Sequence, residues 1–193
     1  SDQVCLYSAE TLLTYDWAFV PYSMTSSESA IRTKQNSYTT SASRAFKLEA
    51  DIDVQSVELD SIPWPCFTSK YVIVPPGQHN VVINSTNDNG YIRVTDLSGE
   101  LSYSYYTNAL AVVGYNDHRQ CLVSLSFKPT RVFLDGKQVD LPISQSLDGR
   151  YATVHCPPGD HEVRFGDLMP EERAGFKLAA LPAVFKHFYA RVE

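Results

Sequence analysis

The sequence has no long apolar run and no cluster of positive charge. Its longest apolar stretches span a handful of residues, well short of the roughly 20 that a membrane-spanning helix needs, so no membrane insertion is expected. No Lys/Arg run exceeds two residues, and 16 basic residues against 22 acidic ones leave a formal charge of −6. A nucleic-acid binder draws its affinity from a basic patch, so nucleic acid is not an expected partner. Ser1-Asp2-Gln3-Val4 carries neither the basic nor the apolar stretch of a signal peptide, which a mature chain would have shed.

Reactive motifs are missing as well. The four cysteines, Cys5, Cys66, Cys121 and Cys156, lack the Cys-x-x-Cys spacing of zinc and redox sites. The five histidines show no His-x-His or His-x-x-x-His spacing. There is no Gly-x-Ser-x-Gly elbow, no phosphate-binding loop and no Gly-x-Gly-x-x-Gly. The sequence therefore predicts no catalytic residue, no metal and no cofactor.

What is present favours strands. Twelve Tyr, nine Phe and many Val and Thr are punctuated by 11 Pro and nine Gly in 193 residues, and helical periodicity is nearly absent before residue 168. The chain also matches itself. Arg44–Asp60 reads RAFKLEADIDVQSVELD, and Arg119–Asp135 reads RQCLVSLSFKPTRVFLD. Phe46, Leu48, Ala50, Ile52 and Val54 alternate with polar residues, and Cys121, Val123, Leu125, Phe127 and Pro129 stand in their places. Both rows read as half-buried strands, each followed by a second short strand, Val57–Asp60 or Val132–Asp135.

A second shared block follows. Tyr71–Ile83 and Tyr151–Phe165 each read as a strand, a tight Pro-Pro-Gly turn and a return strand. Asp135-Gly136 is a hairpin signal. The expected fold is all-β: two tandem antiparallel β-sandwiches of Ig-like or jelly-roll type, related by an internal repeat. The first covers residues 1–86, the second 87–193, and polar Asn84–Asn89 marks the boundary. Tyr91–Leu97, Leu101–Tyr106 and Ala109–Tyr115 would open the second sandwich. In the first, the opening strands fall between Thr14 and Tyr38, with a long Ser/Thr-rich loop over Ser23–Ser43. From Pro170-Glu171-Glu172 the pattern turns helical, with Leu181, Val184, Phe185 and Phe188 on one side and Pro182 breaking the run.

The strand ending in Asp-Gly-Lys, the aromatic-led strand and the Pro-Gly-x-His corner occupy Val132–Lys137 and Tyr151–Phe165, with an echo at Val57–Asp60 and Tyr71–Ile83. Together they resemble PEGA-type surface modules and the C-terminal β-sandwich domains of bacterial polysaccharide-degrading enzymes. The resemblance implies an exported or cell-surface accessory module without activity of its own. Copy one departs from it with Asp60-Ser61-Ile62.

Three residue classes remain as candidates. His79 and His161 share one position beside the corner, which suits a structural role, whereas His155 and Cys156 point to opposite strand faces. The cysteines could form two disulfides in three connectivities or serve as core thiols. Glu49, Asp51 and Asp53 would line one strand face, where calcium or a glycosidase pair is conceivable and solvation is the ordinary outcome.

Aromatic residues are the better lead, since flat aromatic faces hold sugar rings. Trp17, Trp64, Tyr103 and Tyr105 are the candidate ligand-binding residues, with Trp64 held outward by Pro63 and Pro65; the alternative is that they fill the core or a seam. The expected function is a non-catalytic accessory module of an extracytoplasmic protein, secreted or at the cell surface, with a neighbouring domain or a glycan as partner. A structural or protein-interaction module is the alternative, and a small glycan-active enzyme the more distant one.

Overall fold

The computed structural model describes residues 30–108 and 110–166 together with the short strand Ser23–Met24. Trp17, Cys5 and the helical pattern after Pro170 lie outside the described residues. The protein is all-β, a β-sandwich architecture of several antiparallel sheets, with no helix among the described residues. None there is long and apolar enough to cross a membrane.

The first half contributes β1 (Ser23–Met24), β2 (Ala30–Lys34), β3 (Ser37–Ala42), β4 (Phe46–Glu49), β5 (Ser56–Leu59), β6 (Ile62–Pro63), β7 (Tyr71–Val74) and β8 (Gly77–Asn84). The second contributes β9 (Val94–Leu97), β10 (Glu100–Thr107), β11 (Leu110–Asp117), β12 (Cys121–Leu125), β13 (Arg131–Leu134), β14 (Lys137–Gln138), β15 (Ile143–Gln145), β16 (Ala152–Cys156) and β17 (Gly159–Gly166). Two five-stranded sheets have parallel histories, in the orders β2-β3-β8-β5-β6 and β10-β11-β17-β13-β14. The smaller sheets run β1-β4-β7 and β15-β16-β12-β9.

The matched segments pair in matched register. Phe46 faces Val74 and Leu48 faces Val72, while Cys121 faces Cys156 and Val123 faces Val154. Val57 faces Ile83 and Leu59 faces Val81, while Val132 faces Phe165 and Leu134 faces Val163. All of these side chains are buried except Leu134, which packs partly buried against the core, because a period-2 strand sends alternate residues to one face. The flanking strands differ: β1 runs parallel to β4, whereas β9 runs antiparallel to β12.

The Pro-Pro-Gly motif does not make the expected hairpin. β7 and β8 belong to different sheets, as do β16 and β17, so each motif is a corner that carries the chain between sheets. Two consecutive prolines supply no N–H for a ladder, and the first is pushed into extended backbone by the second. Gly77 and Gly159 then turn at φ 109° and 121°. A Cβ at either would crowd the following histidine ring, 3.3 Å away in one case and 3.0 Å in the other.

Those histidines fasten the corner to a hairpin. His79 Nδ1 lies 2.7 Å from Asp60 Oδ2 and its Nε2 lies 2.9 Å from the Pro76 carbonyl. His161 repeats this with Asp135 at 2.8 Å and Pro158 at 3.0 Å. Each aspartate also accepts a backbone N–H, from Asn80 or Glu162. Both aspartates open two-residue turns with positive φ at both central positions, Asp60-Ser61 and Asp135-Gly136, as type I′ hairpins require.

Two expectations about strand extent need correction. The Ser/Thr-rich segment folds into the β2–β3 hairpin rather than a long loop. Thr40 is buried, and Tyr38 and Ala42 pack against the core from the same face, so a polar composition still carries a period-2 inner face. Conversely, β4 stops at Glu49, so Asp51 and Asp53 share no strand face with it. Asp51 pairs instead with Arg32, and Asp53 accepts a hydrogen bond from Gln55.

The chain passes between the halves over residues 85–93, near the expected boundary, yet the apolar cores are continuous across it. Cys66 and Phe67 form the connection. Phe67 bridges Val72 antiparallel and Cys66 bridges Val94 in parallel, so β7 joins β9 through this short segment. Ile73 N–H donates to the Cys66 carbonyl and Val94 N–H to the Pro65 carbonyl, both at 2.9 Å.

Candidate functional site

The outer face of β10, β11 and β17 gathers the aromatic and charged side chains best arranged to meet a ligand. Leu101, Tyr103 and Tyr105 would share a face in a regular strand. A bulge between Leu101 and Tyr103 breaks the alternation. Leu101, Ser104 and Tyr106 therefore point into the core, and Tyr103 and Tyr105 stand outside.

Tyr103 lies flat across its neighbour. A Cβ at Gly114 would come within 2.3–2.7 Å of the Tyr103 ring, so only glycine lets the ring lie there. The hydroxyl reaches on to β17 and donates to Glu162 Oε2 at 2.8 Å. Burial at that end, and then the Glu162 carboxylate that accepts its proton, push the phenol up to about 12. Arg164 donates to the other Glu162 oxygen, its Nε 2.8 Å and its terminal nitrogen 2.7 Å away. The Tyr105 ring lies 6.2 Å from that of Tyr103 at an angle of 22°. Val112, paired with Tyr105 and Arg164, is fully buried without belonging to the core cluster, as expected of a side chain roofed over by those two.

The result is a surface of two nearly parallel rings with a carboxylate and a guanidinium beside them. An apolar face beside a few directed polar groups is the usual chemistry of a small-molecule or sugar site. Tyr103 is 44% exposed, so the surface is open.

Of the other expected site residues, Trp17 lies outside the described residues and Trp64 does not join this surface. Trp64 is 3% exposed and its indole N–H donates to the Ile73 carbonyl at 2.8 Å, so it cannot present an outward platform. Its backbone continues the β5–β6 ladder opposite Val57, and that register turns its side chain inward with Val57 and Leu59. Tyr106 packs edge-on to Tyr91, and the buried Tyr115 donates its hydroxyl to the Pro157 carbonyl. Glu162, Arg164 and Gly114 escaped the sequence reading. A glycine inside an apolar strand and an acid–base pair two residues apart were the available signals.

Elsewhere the described residues offer little reactivity. No group of three or more His, Cys, Asp or Glu residues there could hold a metal. Cys66, Cys121 and Cys156 are buried free thiols, and burial pushes Cys66 and Cys121 up to about 12. Cys121 and Cys156 stand opposite each other in the β12–β16 register. His155 faces Ser144 Oγ at 3.0 Å and is lowered by burial. A separate groove of about 730 Å³ runs past Val132, Gln138, Asp140, Leu141 and Ile143, without an aromatic wall.

Comparison with known proteins returns no matching family model, no matching curated protein and no matching solved structure.

Proposed function

We propose that this chain is a non-catalytic accessory module of an extracytoplasmic protein, and that it holds a glycan on Tyr103 and Tyr105. The observation that carries this reading is the pair of nearly parallel, outward-facing tyrosine rings beside Glu162 and Arg164. A pyranose would lay its C–H face on the rings while its hydroxyls donate to Glu162 and accept from Arg164. The resemblance of the Asp-Gly-Lys hairpin and Pro-Gly-x-His corner to PEGA-type modules points the same way. Glycan-array binding tests the proposal. Tyr103→Ala and Tyr105→Ala should each weaken a retained glycan about tenfold, the scale of one aromatic contact, with the thermal transition largely kept. Failure of the intact module to retain any glycan would overturn it.

A second reading, a structural or protein-interaction module of the cell surface, is favoured by one feature. Among the described residues strand β2 is an edge of its sheet, and it carries Ile31 at 67% exposure. An unpaired edge with an apolar side chain invites another strand. Ile31→Lys would abolish such pairing and leave glycan binding on β10 untouched.

A further inference from the structure

Lys47 and Asp96 form the one ion pair among the described residues with both partners buried, their side chains 0% and 5% exposed at 2.8 Å. Every other described pair leaves at least one partner 35% or more exposed. The two residues come from different halves. Lys47 lies on β4 between the buried Phe46 and Leu48, and faces away from them. Asp96 lies on β9. Nζ sits 4.7 Å from the centre of the Tyr71 ring, and the Tyr71 hydroxyl donates to the Thr95 carbonyl at 2.9 Å, which closes that side. The carboxyl is oriented by a second contact, since the Leu97 N–H donates to Oδ1 at 2.9 Å while Oδ2 meets the amine.

Such a site disfavours charge on both groups. Burial raises Asp96 to about 7 and lowers Lys47, each moving toward its neutral form. When the proton passes from Nζ to Oδ2 across the 2.8 Å contact, a neutral amine, which is a nucleophile, faces a neutral carboxylic acid, which is an electrophile. Two reacting groups held in place and dry gain an effective concentration of about 10⁵ M or more over the same groups in solution.

We propose that Lys47 and Asp96 condense into an intramolecular amide that ties the two halves together covalently. Nζ adds to Cγ, and the developing charge on Oδ1 is met by the Leu97 N–H, as a backbone donor meets an oxyanion elsewhere. Oδ2 then departs as water. Of the three ammonium protons, two leave with that water and one stays on the amide nitrogen. The positive and negative charges cancel, no electron changes hands, and no outside reactant is needed. The net charge of the chain is unchanged by the bond. A covalent tie at this seam would let a surface module bear extension without its halves separating.

Intact mass and peptide mapping of the folded chain, held for days near pH 7, decide the matter. The expected result is a mass lighter than the sequence by one water, with a branched peptide joining the segments that contain Lys47 and Asp96. Asp-Gly sequences can lose water too, as at Asp135-Gly136 and Asp148-Gly149, so the site of the loss matters. Lys47→Arg removes the nucleophile, keeps the charge, and must restore the full mass. An intact chain at full mass with separate peptides, or a water lost equally from Lys47→Arg, would overturn the proposal.

Discussion

The two halves share a frame and differ on one surface. Val57, Leu59, Val81 and Ile83 of the first occupy the register positions of Val132, Leu134, Val163 and Phe165 in the second, and the aspartate–histidine corner recurs unchanged. On the outer faces of the same sheets nothing is kept. Thr39 faces Asn80 and Ser37 faces Val82 in the first half, where the second has Gly114 with Glu162 and Val112 with Arg164. Inward positions and corners answer to the frame, so they converge on similar side chains. Outward positions are free of that demand, and the aromatic surface was built on only one of the two equivalent faces.

The largest expected effect separates frame from surface. Trp64→Ala removes a buried indole together with its hydrogen bond to Ile73, at a cost of about 3–5 kcal/mol. The matching position in the second half is Val139, which likewise donates its N–H across the ladder, to Val132, but is only partly buried. Val139→Ala should cost clearly less. Chemical denaturation of both variants measures the contrast, and equal losses would show that the two seams carry equal weight. Glycan retention by Trp64→Ala at low temperature should match that of the parent chain.

Giving the second half the residue of the first is the next test. Gly114→Thr copies Thr39, and its Cβ would enter the Tyr103 ring. The ring must lift, which costs about 1–3 kcal/mol and withdraws its hydroxyl from Glu162. Ligand affinity should fall at least as far as in Tyr103→Ala, read by titration calorimetry. Unchanged affinity would mean that the flat pose of Tyr103 is not the binding pose.

Much of the frame could be read from the chain because strands announce themselves through alternation. Phe46 and Leu48, like Cys121 and Val123, had to face one way, and Asp135-Gly136 had to turn. Direction was harder to read than stiffness. Pro63-Trp64-Pro65 does describe a rigid segment, but only its ladder with Val57 decides that the indole points inward. The β2–β3 hairpin was hidden by its Ser and Thr content, which records solvent on one face and says nothing of the other. Tyr103 and Tyr105 were visible as a pair, whereas the bulge that frees them from Leu101 leaves no composition signal. Their polar partner Glu162 lies 59 residues further on, beyond any local pattern.

A smaller effect tests the corner that both halves keep. Asp135 holds His161 above its ordinary range, and the Glu162 N–H and then His161 hold Asp135 below its own. The histidine's contribution is complete below about 6.5 and fades as pH rises through its raised value. The aspartate's contribution is present above about 3.8 and fades as pH falls through its lowered value. The clamp should therefore add most to the thermal transition between about pH 4 and 6.5. The difference in Tm between the parent chain and His161→Gln should peak there and shrink toward pH 9. A difference that stays constant over that range would leave the ring with a packing role alone.

The smallest effect comes from the one place where the first half carries the poorer turn residue. Ser61 sits at φ 66° in the position that Gly136 fills at φ 80°. A left-handed backbone costs a side-chain-bearing residue about 1 kcal/mol or more, because its Cβ crowds the next carbonyl. Glycine escapes that cost but gives up more chain entropy on folding, which returns part of the gain. Ser61→Gly should thus stabilise the protein by about 0.5 kcal/mol, and Gly136→Ser should destabilise it by a similar amount. Paired denaturation curves should move in opposite directions. If both substitutions destabilise, the serine hydroxyl is making a contact that outweighs its backbone strain, and the two hairpins are alike in geometry but not in what holds them.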